Sequence, residues 1–253
     1  MSKKFEIAGN WKMNMTPKEV KAFMEEYREL APNAPNNVTI CAPFTSIPAL
    51  VKEARKSSIV VGAQNLHPAK NGTHTGEISA DMLVAAKAKS VIIGHSERRA
   101  QFGETDEFIN AKVQAALAAK LTSILCIGET LEEKEAGRTM EVLKKQFAGG
   151  LAGIKNGKNI CIAYEPVWAI SGGDPSKPKP IATPEQIEEV HTLIKNMCVS
   201  QFGSKRDIPV LYGGSANDKN MHEIFTIPNV DGALIGGASL VPEKFAAMAN
   251  WRG

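Results

Sequence analysis

The sequence predicts an α/β protein in which eight parallel strands close into a (β/α)8 barrel and the helices form an outer ring. Three observations predict it. The chain has 253 residues, a length that one such barrel fills. Short, β-rich apolar runs recur eight times from end to end. Stretches of helical period separate these runs. The runs are nearly continuous in apolar residues, as strands covered on both faces require, and a helix is the crossover that a parallel connection needs. An open doubly wound sheet also alternates β and α, and on pattern alone it is the alternative; the count of eight favours the barrel.

In chain order the runs occupy residues 5–9, 38–42, 59–63, 90–94, 123–127, 160–164, 208–212 and 232–235. After the first, Thr16-Pro17 with Glu19 marks a helix start, and Val20, Phe23, Met24, Tyr27 and Leu30 set an apolar stripe beside charged faces. Ser79 with Asp81 and Met82 caps the helix before the fourth run. Ile109, Val113, Ala116 and Leu117 form the stripe before the fifth, and Thr183-Pro184-Glu185 opens the helix before the seventh. The Pro-, Gly-, Ser- and Lys-rich stretch 171–180 is too short to separate domains, so residues 1–253 read as a single domain.

The composition, 43% hydrophobic and 23% charged, supplies a large aliphatic core and argues against disorder. Thirty basic and 27 acidic residues leave a net charge of +3 with no blocks of like sign, so no nucleic-acid partner is expected. Cys41, Cys126, Cys161 and Cys198 are widely spaced without a CxxC pair and read as buried thiols. Neither an apolar leader nor a run of about 18 apolar residues occurs, so no membrane is expected and the cytoplasm is the expected compartment.

In a parallel barrel, functional residues come from the C-terminal ends of the strands, and there the sequence holds unusual chemistry. Glu165 closes the sixth run before Pro166 and can stand as a general base at the barrel mouth, although a lone Glu more often caps a strand or pairs with a surface cation. His95 follows the fourth run where a helical turn begins, and the helix dipole there disfavours an imidazolium. As a neutral donor it can polarise a carbonyl; satisfaction by local backbone groups is the equal alternative. Lys12, with Asn10 beside it, follows the first run and can stabilise an oxyanion, where a solvated lysine is the plain alternative. Glycine turns after the seventh and eighth runs, Gly213-Gly214-Ser215 and Gly236-Gly237, let backbone approach a phosphate closely. Nucleotide-binding and zinc-binding signatures are missing from the sequence, and no metal or cofactor is demanded. A base, a polarising His, a Lys and a phosphate grip suffice to move a proton between carbons beside a carbonyl.

The segments Gly9-Asn10-Trp11-Lys12-Met13-Asn14, Gly94-His95-Ser96-Glu97-Arg98-Arg99, Tyr164-Glu165-Pro166-Val167-Trp168-Ala169-Ile170 and Tyr212-Gly213-Gly214-Ser215 closely resemble the triosephosphate isomerase family, over nearly the whole chain. The resemblance implies a TIM barrel and a cofactor-free aldose-ketose isomerase of glycolysis and gluconeogenesis, interconverting dihydroxyacetone phosphate and glyceraldehyde 3-phosphate through an enediolate. A Glu base paired with a neutral His electrophile is the known pattern of that family. It implies that Glu165 shuttles the proton, that His95, Lys12 and Asn10 stabilise the enediolate, and that Glu97 is a second acid near Lys12. It implies that Cys126 packs behind the base, where plain core filling is the alternative. Backbone amides of Ser171, Ser215, Gly236 and Gly237 would hold the phosphate.

Two further expectations follow from the resemblance. Residues 64–79 resemble the loop by which family members enter a neighbouring subunit, which implies a homodimer with Thr75 near Asn10 and His95 of the partner; a self-contained surface loop is the alternative. The lid after Ile170 carries several added residues, 171–181, relative to the family's shorter glycine-rich lid, so closure and suppression of phosphate elimination are open to change. A barrel that binds a phosphometabolite without turning it over is the alternative function.

Overall fold

Alternation along the apolar runs sorts their side chains into two layers, one filling the barrel and one packed beneath the helices. In the computed structural model, residues 3–170, 180–205 and 207–252 are described. The strands are β1 (Glu6–Asn10), β2 (Asn37–Ala42), β3 (Val60–Ala63), β4 (Ser90–Ile93), β5 (Thr122–Ile127), β6 (Ile160–Tyr164), β7 (Val210–Tyr212) and β8 (Gly232–Ile235). Each pairs in parallel with the next, and β8 returns to β1 through Glu6↔Gly232 to Gly9↔Ile235. The sheet is a closed TIM barrel, and the open sheet is excluded.

The inner layer is small: Ala8, Cys41, Ile92, Ile124, Cys126, Cys161, Ala163, Leu211 and Leu234. Their neighbours one position along, such as Ile7, Ile40, Val91, Leu125, Ile162 and Val210, face outward into the larger core. That core is completed by the helices α1 (Pro17–Leu30), α2 (Ile47–Ala54), α3 (Ala80–Ala85), α4 (Ser96–Phe102), α5 (Asp106–Ala118), α6 (Leu131–Glu135), α7 (Thr139–Gly150), α8 (Pro184–Phe202), α9 (Met221–Thr226) and α10 (Pro242–Ala249). All four cysteines are free and buried.

The expected helix starts are present. Thr16 and Thr183 form capping boxes with Glu19 and Gln186, and the Ser79 hydroxyl accepts the Met82 N–H. In α1 the stripe Val20, Phe23, Met24 and Tyr27 is buried, but Leu30, in the last turn, is 42% exposed. Strand ends differ from the apolar runs where the backbone cannot continue the ladder. β7 starts only at Val210 because Pro209 has no N–H to donate, although its carbonyl still accepts from Ile162. β4 stops at Ile93 because Gly94 turns to a left-handed φ of 72°.

Candidate active site

The inward-facing rows of side chains continue past the strand ends, and this continuation builds the site. On β6 the row Cys161, Ala163 leads to Glu165; on β1, Ala8 leads to Asn10; on β7, Leu211 leads to Gly213; on β8, Leu234 leads to Gly236. Glu165, Asn10 and His95 are all buried at this C-terminal mouth. Together with Lys12, Ser215, Gly236 and Gly237 they line one cavity of about 340 Å³.

Glu165 and His95 are in direct contact, with Nε2 2.8 Å from Oε1. The Ser96 N–H, in the first turn of α4, donates to the other oxygen, Oε2, at 2.9 Å. His95 is the N-cap of α4, and its Nδ1 accepts the Glu97 N–H at 3.3 Å. An Nδ1 that accepts carries no proton, so the neutral ring holds its proton on Nε2 and donates it to Glu165. Burial opposes ionisation of Glu165, but His95, the Ser96 N–H and Lys12 outweigh it and hold the carboxyl below the usual range. Burial likewise opposes an imidazolium at His95, yet the adjoining Glu165 carboxylate outweighs it and makes the ring more basic than usual. The Glu165 charge, at hydrogen-bond distance, therefore works against the helix dipole and the burial, both of which disfavour an imidazolium.

Lys12 takes a left-handed φ of 51°, unusual for a side-chain-bearing residue. Its N–H donates to Asn10 Oδ1 at 3.0 Å, and its carbonyl accepts from Gln64 Nε2 at 2.9 Å, so both sides of the strained turn are held. The ammonium meets Glu97 Oε1 at 2.6 Å. Lys12 therefore faces the cavity rather than bulk solvent, whereas its neighbour Met13 is 95% exposed. A Cβ at Gly236 would lie 3.5 Å from Lys12 Cε, which brings the ammonium stem to the glycine turn after β8. Gly237 opens a 3-10 turn, Gly237–Leu240, whose first amides have no partner within the turn, a ready site for an anion. Ser171 lies outside the described residues, as do the other lid residues through 179.

Sequence reasoning passed over three contributors. Gln64 steadies Lys12 and also donates to the Cys41 carbonyl. Gly128 packs so tightly on the Glu165 carbonyl that no Cβ fits, and a Cβ at Gly213 would meet Glu165 Cγ at 2.9 Å. Glu129 accepts from Tyr164 Oη and Trp168 Nε1, at 3.1 and 2.7 Å, beneath the residues that follow Glu165. The only sequence signal was a glycine or a polar residue just past a strand, which by itself is ordinary turn chemistry. Among the described residues no group of three His, Cys, Asp or Glu side chains is placed to hold a metal ion.

A buried carboxylate against a donating imidazole, with a lysine and two glycine turns at the C-terminal mouth of a (β/α)8 barrel, defines an acid–base enzyme with room for a small anionic substrate. The family model for triosephosphate isomerase matches residues 5–252. The triosephosphate isomerase of Solibacter usitatus is 45% identical over 250 residues, covering 97% of this chain and 98% of its own. That of Carboxydothermus hydrogenoformans is 46% identical over 252 residues, covering 96% and 97%. The crystal structure of the Bartonella henselae triosephosphate isomerase superposes with a TM-score of 0.87 at 40% identity, covering 98% of both chains. The chain belongs to the triosephosphate isomerase family.

Proposed function

We propose that this protein interconverts dihydroxyacetone phosphate and glyceraldehyde 3-phosphate, with Glu165 carrying the proton between the two carbons. The observation that carries this reading is the Glu165–His95 contact of 2.8 Å in a cavity that the two glycine turns also line. The single proton on His95 Nε2 can serve one acceptor. A substrate carbonyl that takes it displaces Glu165, which then also gives up the interactions that stabilise its carboxylate and becomes a stronger base beside the substrate carbon.

Lys12 and Asn10 stand where the enediolate oxygens gather charge, and His95 donates to the same oxygens. Glu97 holds the Lys12 ammonium at 2.6 Å and fixes its position. Backbone at Ser215, Gly236 and Gly237, in the same cavity as Glu165, grips the phosphate. The test is a coupled assay with glyceraldehyde 3-phosphate in the presence of a chelator. Wild-type turnover that collapses in Glu165→Gln supports the reading; a wild type that binds phosphate without turnover sinks it and leaves the binding barrel.

The assembly belongs to the same reading: a homodimer, in which residues 64–79 of one subunit enter the groove lined by Met13, Phe44, Gln64, Glu97, Arg98 and Phe102 of the other. Two exposed apolar side chains on that groove, Met13 and Phe102, support burial by a second copy. Thr75 would then approach Asn10 and His95 of the partner subunit. Sedimentation showing a monomer at micromolar concentration would refute the dimer. Free, buried thiols suit the reducing cytoplasm, which cell fractionation tests.

A further inference from the structure

The Gly94-to-Arg99 segment contains a residue that the reaction leaves without a task. Arg99 lies in α4, four positions after His95, and its own N–H donates to the His95 carbonyl at 3.1 Å. Its side chain is mostly buried and turns back toward the barrel rather than outward. Nε donates to the Gly94 carbonyl at 3.0 Å, Nη2 to the Cys126 carbonyl at 3.3 Å, and Nη1 to Asp106 Oδ1 at 2.6 Å.

These acceptors are related by the sheet register. β4 and β5 pair from Ser90↔Thr122 to Ile93↔Leu125, and there the ladder ends. One further step would pair Gly94 with Cys126. The left-handed φ of Gly94 takes the chain out of the ladder at that step, and His95 owes its place at the mouth to this departure. Two carbonyls at the end of the β4–β5 seam are then served by one guanidinium.

We propose that Arg99 is a positioning residue for His95: its guanidinium replaces the missing rung between β4 and β5 and so fixes the imidazole against Glu165. Asp106, the first residue of α5, orients the third donor of the fork. Cys126, whose carbonyl is one of the two that Arg99 anchors, is itself an inward-facing residue of the barrel interior, so the same guanidinium also fixes the end of β5 beside the site. A lysine keeps the charge but presents a compact ammonium, which cannot reproduce a planar fork reaching three separate acceptors.

The inference rests on the isomerase reading above, and the experiment separates the two. Arg99→Lys and Asp106→Asn are compared with wild type for kcat and KM with glyceraldehyde 3-phosphate, and for the imidazole 15N–1H correlation of His95 by NMR. Arg99→Lys is expected to lose about tenfold to a hundredfold in kcat with KM nearly unchanged, since small misplacements of a reacting group carry penalties of that size. The His95 Nε2–H signal should shift or broaden. Asp106→Asn should show the same pattern at smaller amplitude and decides the matter if the lysine variant does not fold. For Arg99→Ala, added guanidinium at millimolar concentration should restore some of the lost kcat. Variants that lose melting temperature while keeping wild-type kcat and an unshifted His95 signal would overturn the proposal. A wild type without turnover would instead refute the isomerase reading, and the NMR comparison would still judge Arg99.

Discussion

His191 should make the protein's stability fall between pH 6.5 and 4. It is fully buried on α8, its ring set edge-on to Tyr164 and tilted against Tyr212. Nδ1 lies 3.2 Å from the Asn229 carbonyl, while Nε2 is buried without a partner. Burial pushes its pKa down from 6.5 to about 4, against the pull of Asn229 and Asp231. The folded protein therefore keeps His191 neutral while the unfolded chain takes up a proton below pH 6.5. Stability is complete above that pH, declines as the pH falls toward 4, and is constant below it as far as this group is concerned. The full span is roughly 3 kcal/mol, of which about 2 kcal/mol is lost by pH 5. Equilibrium urea unfolding of wild type and His191→Gln at pH 7.5 and 5 measures it. The wild type should lose about 2 kcal/mol more than the variant over this interval, because Gln takes up no proton. Comparison with the variant cancels the other histidines and the carboxylates. Equal losses in both proteins would refute the reasoning.

Other substitutions test the site's construction. Gly128→Ala forces a Cβ onto the Glu165 carbonyl, and it should cost about 1–3 kcal/mol in chemical denaturation together with most of the activity. Lys12→Met removes the ammonium that faces the cavity and leaves Glu97 without its 2.6 Å partner. It should lower kcat by about a hundredfold or more in steady-state kinetics, on the scale of losing one oxyanion donor, with KM raised by the missing positive charge. Unchanged kcat in Lys12→Met would remove that residue from the chemistry.

The fold was legible because each strand repeats one signal, an apolar run bounded by turns, and eight repeats leave few architectures. The errors lie where one backbone group overrides the pattern: Pro209 delays β7 and Gly94 ends β4 early. The sequence singled out Glu165, His95, Lys12 and Asn10 because these residue types follow strand ends, and the barrel gathers them in one cavity. It did not reveal their supports. Arg99 and Gln64 act through carbonyls, which have no side-chain identity to read, and Gly128 matters only through a neighbour 37 positions away in Glu165. One influence on the basicity of His95 was hidden for a related reason. A helix dipole is local and visible in sequence, whereas the Glu165 charge at 2.8 Å arrives from another strand.

The most direct test of proton transfer by Glu165 is isomerisation of dihydroxyacetone phosphate in D2O, followed by 1H NMR of the glyceraldehyde 3-phosphate formed. Deuterium at C2 of the product, with formation slowed by orders of magnitude in Glu165→Gln, is the expected result. Isomerisation and deuterium incorporation undiminished in the variant would contradict a carboxylate shuttle at Glu165.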